Sequence, residues 1–201
     1  MSYEIEKLAH EIKNPLSICI GYLEMLDNDY NQKYIDIIKS ELNRSITILD
    51  DYKNNKILDL EELDLVFLFN EIYQIYKIKS KIKITSKEEI YINGDYKKLK
   101  QVFINIIKNS IESKKYNTDI SIKINLIETK HNVYITIKDN GIGIKKENIS
   151  NIFNNFYTTK TYGTGLGLSY SKEIINLHQG TIKYYSKYQK GTKVVITLPK
   201  R

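Results

Sequence analysis

The chain has 201 residues, 41% of them hydrophobic and 27% charged, which is typical of one large or two small globular domains. Its single cysteine, Cys19, excludes a disulfide framework or a multi-cysteine zinc site. The absence of an apolar run of about 18 residues leads us to expect a cytoplasmic protein without membrane insertion. The net charge of +7 divides into −4 for residues 1–60 and +11 for residues 61–201, which indicates two units with different partners.

The first part of the chain has the pattern of two helices, over residues 4–26 and 32–52, joined by a short polar turn. In the first helix, apolar side chains recur with a seven-residue period at Ile5, Leu8, Ile12, Cys19 and Leu26. A helical hairpin of this kind cannot bury its apolar stripe alone, whereas two copies can bury it in a four-helix bundle. We therefore expect a homodimer.

The second part mixes helices and strands after a polar segment that we interpret as a linker. We expect helices over residues 65–78, 96–115 and 165–178, and strands over residues 81–85, 89–93, 120–128, 132–138, 181–186 and 192–198. The pattern predicts an α/β sandwich with helices over one face of a sheet. Its positive charge is almost entirely lysine without an arginine-rich stripe, so we do not expect nucleic-acid binding.

His10 lies opposite the apolar stripe of the first helix, so its imidazole is expected to face solvent. Glu11 is its neighbour, Asn14 lies one helical turn further on, and Pro15 is expected to bend the helix. An exposed histidine beside a carboxylate at a helix distortion is suited to nucleophilic or acid–base chemistry. A plain surface histidine beside an incidental proline is the alternative on these residues alone.

The helix that Asp95 is expected to cap carries two asparagines on its polar flank. Asn105 and Asn109 are four residues apart, so they lie on one face, away from the buried stripe. Because asparagine is a poor helix former, the pair indicates a ligand or a metal ion, with a solvated face as the alternative.

Two glycine-rich turns are suited to a nucleotide. Asp139, Gly141 and Gly143 follow a strand directly, so the carboxylate can accept from an adenine amino group while the backbone approaches the ring. The free amides at the start of the last helix favour phosphate, and this helix opens with Gly163-Thr164-Gly165-Leu166-Gly167. Neither turn lies in a βαβ fingerprint or a Walker loop, which excludes those two nucleotide sites.

The segment between the two turns runs from aromatic to polar side chains. It contains Phe153 and Phe156 and ends on Lys160. Such a segment is suited to a mobile lid with aromatic anchors and a lysine for phosphate, or to a packed aromatic cluster.

In chain order these motifs resemble the H, N, G1, F and G2 boxes of sensor histidine kinases, most of all the nitrogen-regulation and sporulation-kinase type. The residues that carry the resemblance are His10-Glu11-Ile12-Lys13-Asn14-Pro15-Leu16, Asn105-x3-Asn109, Asp139-x-Gly141-x-Gly143, Phe153-x2-Phe156 and Gly163-x-Gly165-x-Gly167. The resemblance implies an α+β chain with three parts. These are a helical-hairpin dimerisation and phospho-acceptor domain over residues 1–56, a linker over 57–62, and an ATP-binding α/β sandwich of the histidine kinase, gyrase and chaperone type over 63–201.

The resemblance also implies roles for the residues of the first domain. His10 would accept a phosphoryl group from ATP, and Glu11 would be the base that polarises its imidazole. The phosphoryl group would then pass to an aspartate of a response-regulator receiver domain. Asn14 would serve to remove phosphate from that regulator.

For the second domain, the resemblance implies an ATP and Mg²⁺ site. Asn109 would coordinate the metal with Asn105 in support, and Asp139 would recognise adenine in a pocket shaped by Gly141 and Gly143. The residues implied to contact the phosphates, in a lid that extends from Phe153, are Lys160, Gly163, Thr164, Gly165, Leu166 and Gly167. Many relatives carry a lysine toward phosphate at the position of Glu112, although the nitrogen-regulation type does not.

Two other functions are weighed against a histidine kinase. A phosphotransfer or scaffold protein with a degenerate nucleotide site is disfavoured by the complete glycine turns. An ATPase related to gyrases and chaperones would carry a glutamate where this chain has Asn105, so hydrolysis should be slow without a carboxylate to activate water. Because only nine residues precede His10, we expect no sensor domain, so the chain is either an orphan kinase core or a kinase whose input comes through a separate sensory protein.

Overall fold

The computed structural model describes residues 2–26, 30–54, 58–77, 80–116, 118–155, 157–160 and 165–200. The chain divides into two compact units, residues 1–57 and 58–201. Within the described ranges, no helix has both the length and the apolar character needed to cross a bilayer. The domain boundaries expected at residues 56 and 63 stay predictions, but a strand already begins at Glu61, inside the expected linker.

The described part of the first unit consists of helices α1 (Ser2–Leu26) and α2 (Gln32–Asn54). Helix α1 runs through Pro15, which is buried. The two helices pack through the rings of Tyr22 and Tyr34, whose centroids are 5.4 Å apart, and through the buried Cys19. The hairpin leaves a set of large apolar side chains exposed: Leu16, Ile18, Ile20, Leu23, Met25, Leu42, Ile46 and Leu49.

The second unit alternates strands and helices. Its elements are β1 (Glu61–Asp64), α3 (Leu65–Tyr76), β2 (Lys81–Thr85), β3 (Tyr91–Gly94), α4 (Tyr96–Glu112), β4 (Ser121–Glu128), β5 (Asn132–Asp139), α5 (Gly167–Leu177), β6 (Thr181–Lys187) and β7 (Gly191–Pro199). Five strands form a mixed sheet in the order β2-β4-β5-β7-β6, and β1 pairs with β3 in a separate two-stranded sheet. Strand β2 is parallel to β4, and the other neighbours in the large sheet are antiparallel.

The helices of the second unit cover one face of the large sheet. Strand β5 shows why, because Val133, Ile135 and Ile137 alternate along it and are buried on one side. These residues join one apolar core with the buried stripes of α3, α4 and α5. The rings of Phe69 on α3 and Phe103 on α4 lie 4.5 Å apart between centroids. The expected α/β sandwich is confirmed.

Two helix boundaries differ from the expectation for physical reasons. Helix α4 ends at Glu112 rather than at 115, because Ser113 leaves the helical conformation with a ψ of 8°, and its carbonyl there accepts a hydrogen bond from the amide of Ile142 (2.8 Å). Helix α5 begins at Gly167 rather than at 165, because Gly165 has a φ of 69° and cannot be part of a right-handed helix.

Candidate functional site

A cavity of about 670 Å³ opens in the second unit, which is a volume within the range of sites for small ligands. Its walls come from α4, the end of β5, the segment between β5 and α5, and strands β6 and β7. The predicted site residues that line this cavity are Asn105, Asn109, Asp139, Gly143, Lys160, Gly165 and Gly167. A more open depression of about 400 Å³ between Phe153 and α5 holds none of them.

Asp139 is a buried carboxylate at the end of β5, and three hydrogen bonds hold its side chain. Its Oδ1 accepts hydrogen bonds from the amides of Gly141 (2.9 Å) and Thr192 (3.1 Å), and its Oδ2 accepts one from Ser110 Oγ (3.1 Å). Burial raises the pKa of Asp139, and these three hydrogen bonds oppose that rise because they favour the charged form. A carboxylate oxygen can accept more than one hydrogen bond, so Oδ2 keeps capacity for an amino group in the cavity.

The first glycine turn is held tightly against its neighbours. A Cβ atom at position 141 would lie 1.8 Å from Ser113 Oγ and 2.7 Å from the Ser113 carbonyl oxygen, so only glycine fits there. Gly143 has a φ of 68°, and a Cβ atom there would lie 2.3 Å from the carbonyl oxygen of Lys187. Gly141 thus lies behind Asp139, outside the lining of the cavity, while Gly143 forms part of the wall.

The two asparagines of α4 differ in their contacts. Asn105 Nδ2 donates to the carbonyl of Gly167 (3.3 Å) and its Oδ1 accepts from Gln101 (2.8 Å), so its side chain ties α4 to the start of α5. Asn109 Oδ1, one turn further on, accepts a hydrogen bond from Lys160 Nζ (2.7 Å). Asn105 therefore supports the wall of the cavity, while Asn109 presents its amide oxygen to a cation.

Helix α5 starts at the cavity, and its N-cap residue, Leu166, has an apolar side chain that accepts no hydrogen bond from the first amides. The amides of a first helical turn lack acceptors within the helix and attract anions. Leu166 is not among the residues that line the cavity. The predicted phosphate contacts at Gly163 and Thr164, and the aromatic anchor Phe156, lie outside the described residues.

Several residues of the site were missed by the sequence analysis. Ser110 and Thr192 fix the orientation of Asp139, and Tyr184 lines the cavity with a buried hydroxyl that has no hydrogen-bond partner among the described residues. Burial raises the pKa of Tyr184, so the hydroxyl keeps its proton. The only signal for Ser110 is that it directly follows Asn109. No sequence pattern marks the other two residues.

The residues of the cavity fit a magnesium nucleotide. Within the described ranges, no cluster of three histidine, cysteine, aspartate or glutamate side chains could hold a metal alone. Protein-bound Mg²⁺ commonly uses one or two protein oxygens together with substrate phosphates and water, so the amide oxygen of Asn109 is a sufficient protein ligand. The same cavity is lined by an acceptor, Asp139, and by a cation, Lys160, which suit the amino group and the phosphates of a nucleotide.

The predicted acceptor site lies on α1 of the first unit. His10 and Asn14 are both exposed and are one helical turn apart, so they share a face of the helix. Glu11 is half-buried. The surface of α1 therefore presents an imidazole and a carboxamide on one exposed face.

Family models match both parts of the chain. The His Kinase A (phospho-acceptor) domain matches residues 1–64, and the model described as Histidine kinase-, DNA gyrase B-, and HSP90-like ATPase matches residues 94–201. Sporulation kinase A of Bacillus subtilis is 38% identical over 96% of this chain and 34% of its own length. Sporulation kinase B of the same organism is 35% identical over 96% of this chain and 48% of its own length. The chain thus spans about a third to a half of these relatives.

Solved structures show the same fold. The catalytic domain of histidine kinase ThkA is 31% identical with a TM-score of 0.63, over 71% of this chain and 97% of that chain. Histidine kinase ThkA in complex with response regulator protein TrrA is 28% identical with a TM-score of 0.73, over 99% of this chain and 61% of that chain.

Proposed function

The chain belongs to the histidine kinase family, with a phospho-acceptor domain followed by an ATPase domain, and we propose that it phosphorylates itself on His10 with ATP. We further propose that it passes the phosphoryl group to an aspartate of a response-regulator receiver domain. The observation that carries the proposal is the cavity in which Asp139, Asn109 and Lys160 converge, in a chain that also exposes His10. The complex of its relative ThkA with a response regulator supports the second step.

In the proposed site, Asp139 Oδ2 accepts a hydrogen bond from the adenine amino group, and Lys160 faces the phosphates. Asn109 holds Mg²⁺, which neutralises part of the phosphate charge when bound. The amides at the start of α5 lie at the same cavity and suit phosphate oxygens. Asn105 stands where a hydrolytic relative would need a carboxylate, so water is not activated and phosphate is kept for transfer.

The proposed transfer uses His10 as the nucleophile. A ring nitrogen forms a bond to the γ-phosphorus while the bond from that phosphorus to the β–γ bridging oxygen breaks, and ADP leaves. Glu11, the neighbour of His10 in the chain, polarises the imidazole and stabilises the positive charge that it gains. In the second step the carboxylate of the receiver aspartate attacks the phosphorus, and His10 is regenerated.

We propose that the chain acts as a homodimer. The exposed apolar side chains on α1 and α2 are too numerous for two solvated helices, and a second hairpin would cover them in a four-helix bundle. The match to a His Kinase A domain supports this assembly.

Phosphotransfer profiling tests the proposed function. The chain is incubated with γ-labelled Mg-ATP, freed of nucleotide, and mixed with each receiver domain of its organism. The label should leave the chain and appear within minutes on the aspartate of one or a few receivers. If labelled phosphate is released without a labelled protein, the chain is an ATPase, and if no label is incorporated at all, it is a scaffold.

A further inference from the structure

One ammonium group links two side chains at the edge of the cavity. Lys160 Nζ donates hydrogen bonds to Asn109 Oδ1 (2.7 Å) and to Glu112 Oε2 (2.5 Å). Asn109 and Glu112 are three residues apart on α4, so they lie on the same face of the helix. All three side chains line the cavity.

We infer that Glu112 is a positioning residue that keeps Lys160 beside the phosphates and draws its ammonium group away from Asn109 when magnesium binds there. The inference rests on the proposed nucleotide site. It gives a role to Glu112, which is not one of the predicted site residues. It also couples the phosphate contact of Lys160 to the magnesium contact of Asn109, which the proposed function treats separately.

The reason for the coupling is that two cations need the same oxygen. Asn109 offers one amide oxygen to the cavity, and the Lys160 ammonium already occupies it in this structure. An ammonium group and Mg²⁺ that both contacted this oxygen would lie only a few ångströms apart and would repel each other strongly. Magnesium therefore has to displace Lys160 from Asn109, and Glu112 provides the place to which the displaced ammonium moves.

The charge and exposure of the pair fit this role better than a role in folding. The side chains of Lys160 and Glu112 are 42% and 38% exposed, and exposed ion pairs contribute little to the free energy of folding. A carboxylate at a phosphate site would repel the phosphates unless a cation neutralised it. Lys160 supplies that cation, and the only other cation near Glu112 in the described part of the chain is Lys108, whose Nζ is 3.9 Å from Oε1.

The test is a double-mutant cycle read out by nucleotide binding rather than by activity. ADP binding to the full chain is measured by calorimetry at a series of Mg²⁺ concentrations, and the midpoint is the concentration at which half of the gain in affinity is reached. Glu112→Gln should raise this midpoint about fivefold, because a neutral amide oxygen attracts the ammonium group less than a carboxylate does and leaves it on Asn109. In the Lys160→Gln background the same change should shift the midpoint less than about twofold, because Glu112 acts through Lys160.

Lys108→Gln is the matched control, because it also removes a lysine charge that lies beside Glu112. Glu112→Gln should still raise the midpoint about fivefold in that background. If Glu112→Gln shifts the magnesium midpoint equally in the wild-type and Lys160→Gln backgrounds, Glu112 attracts magnesium directly and the inference is wrong. The inference is also wrong if Glu112→Gln does not shift the midpoint of the wild-type chain. If the wild-type chain binds no ADP, the proposed function falls and the inference with it. If ADP binding depends on magnesium but the Glu112 and Lys160 substitutions shift the midpoint additively, the inference is wrong and the proposed function stands.

Discussion

At the scale of single residues, the nucleotide site depends most on Asp139. This carboxylate is buried, and three hydrogen bonds hold it in one orientation. The contacts with Ser110 and Thr192 come from residues 29 and 53 positions away along the chain, which is why the sequence predicted the carboxylate but not the groups that orient it. Their positions follow from the fold, because α4 and β7 meet beside the end of β5.

Asp139→Asn should lower the affinity for ATP about thirtyfold, which corresponds to roughly 2 kcal/mol. The variant keeps the size of the side chain and one oxygen for the amides of Gly141 and Thr192, but it can place an NH₂ group where Oδ2 faced the adenine amino group. Calorimetric titration with ATP measures the change, and Asp119→Asn, on the exposed surface, is the control. Equal ATP affinity in the wild-type chain and Asp139→Asn would show that this carboxylate does not bind the base.

Asn14 is proposed to orient a water molecule for dephosphorylation of the regulator. It shares an exposed face of α1 with His10, and a carboxamide can both donate to and accept from water without a change in charge. Asn14→Ala should therefore keep autophosphorylation and lose more than about 90% of the dephosphorylation rate, because this reaction needs mainly positioning. The measurement follows loss of phosphate from purified phospho-regulator with nucleotide varied, and Ser17→Ala on the same helix is the control. An unchanged dephosphorylation rate in Asn14→Ala would show that Asn14 does not orient the water molecule.

At the scale of elements, a buried histidine joins the end of α5 to the start of α4. His178 Nε2 accepts a hydrogen bond from the amide of Asp95 (2.9 Å), and its Nδ1 lies 2.8 Å from the carbonyl oxygen of Ile174. Only a neutral ring with the proton on Nδ1 satisfies both contacts. Asp95 is in turn the N-cap of α4, where its Oδ1 accepts from the amide of Lys98 (3.0 Å). The helix that carries Asn105 and Asn109 is therefore fixed at its start by His178.

This contact predicts that the second unit loses stability in mild acid. Burial is the largest effect that lowers the pKa of His178 below its ordinary value of 6.5, and the nearby Lys98 lowers it further, although Asp95 and the Ile174 carbonyl raise it. Below about pH 6.5 the unfolded chain binds this proton more readily than the folded chain, so the free energy of unfolding falls as the pH falls. Denaturant melts from pH 7 to pH 5 should show this fall, and it should be smaller in His178→Gln.

His131→Gln is the matched control for that experiment, because His131 is exposed. Its pH profile should follow that of the wild-type chain. A wild-type profile that is flat between pH 7 and pH 5, or one that His178→Gln leaves unchanged, would contradict the account of this contact.

The elements of the fold were largely predictable because their periodicity is strong. Strand β5 alternates over its full length, and the apolar stripe of α4 recurs at helical spacing, so local pattern alone indicated both elements. Strand β1 was missed because its four residues, Glu-Glu-Leu-Asp, do not alternate and their strand conformation depends on pairing with β3, which is distant in the sequence. The end of α4 was placed too late because it depends on the contact between Ser113 and Ile142, which are far apart in the sequence.

At the scale of the whole molecule, the first unit predicts self-association. Leu23 is 51% exposed on α1, and it belongs to the apolar surface that the hairpin leaves uncovered. Sedimentation at micromolar concentration should show a dimer for the wild-type chain and a monomer for Leu23→Glu, because a carboxylate buried in the bundle would be unpaired. Ile127→Glu, at a similarly exposed position of β4, should remain a dimer. A monomeric wild-type chain would contradict the proposed bundle.

We propose that one chain carries both the nucleotide site and the histidine that receives its phosphate. The most direct measurement incubates the wild-type chain and His10→Gln with γ-labelled Mg-ATP and follows protein-bound label in acid and in base. We expect the wild-type chain to acquire label that is lost in acid and kept in base, since protonation of the ring nitrogen makes it a good leaving group. His10→Gln should bind ATP with the wild-type affinity and acquire no label. Incorporation of label by His10→Gln at the wild-type level would contradict the account.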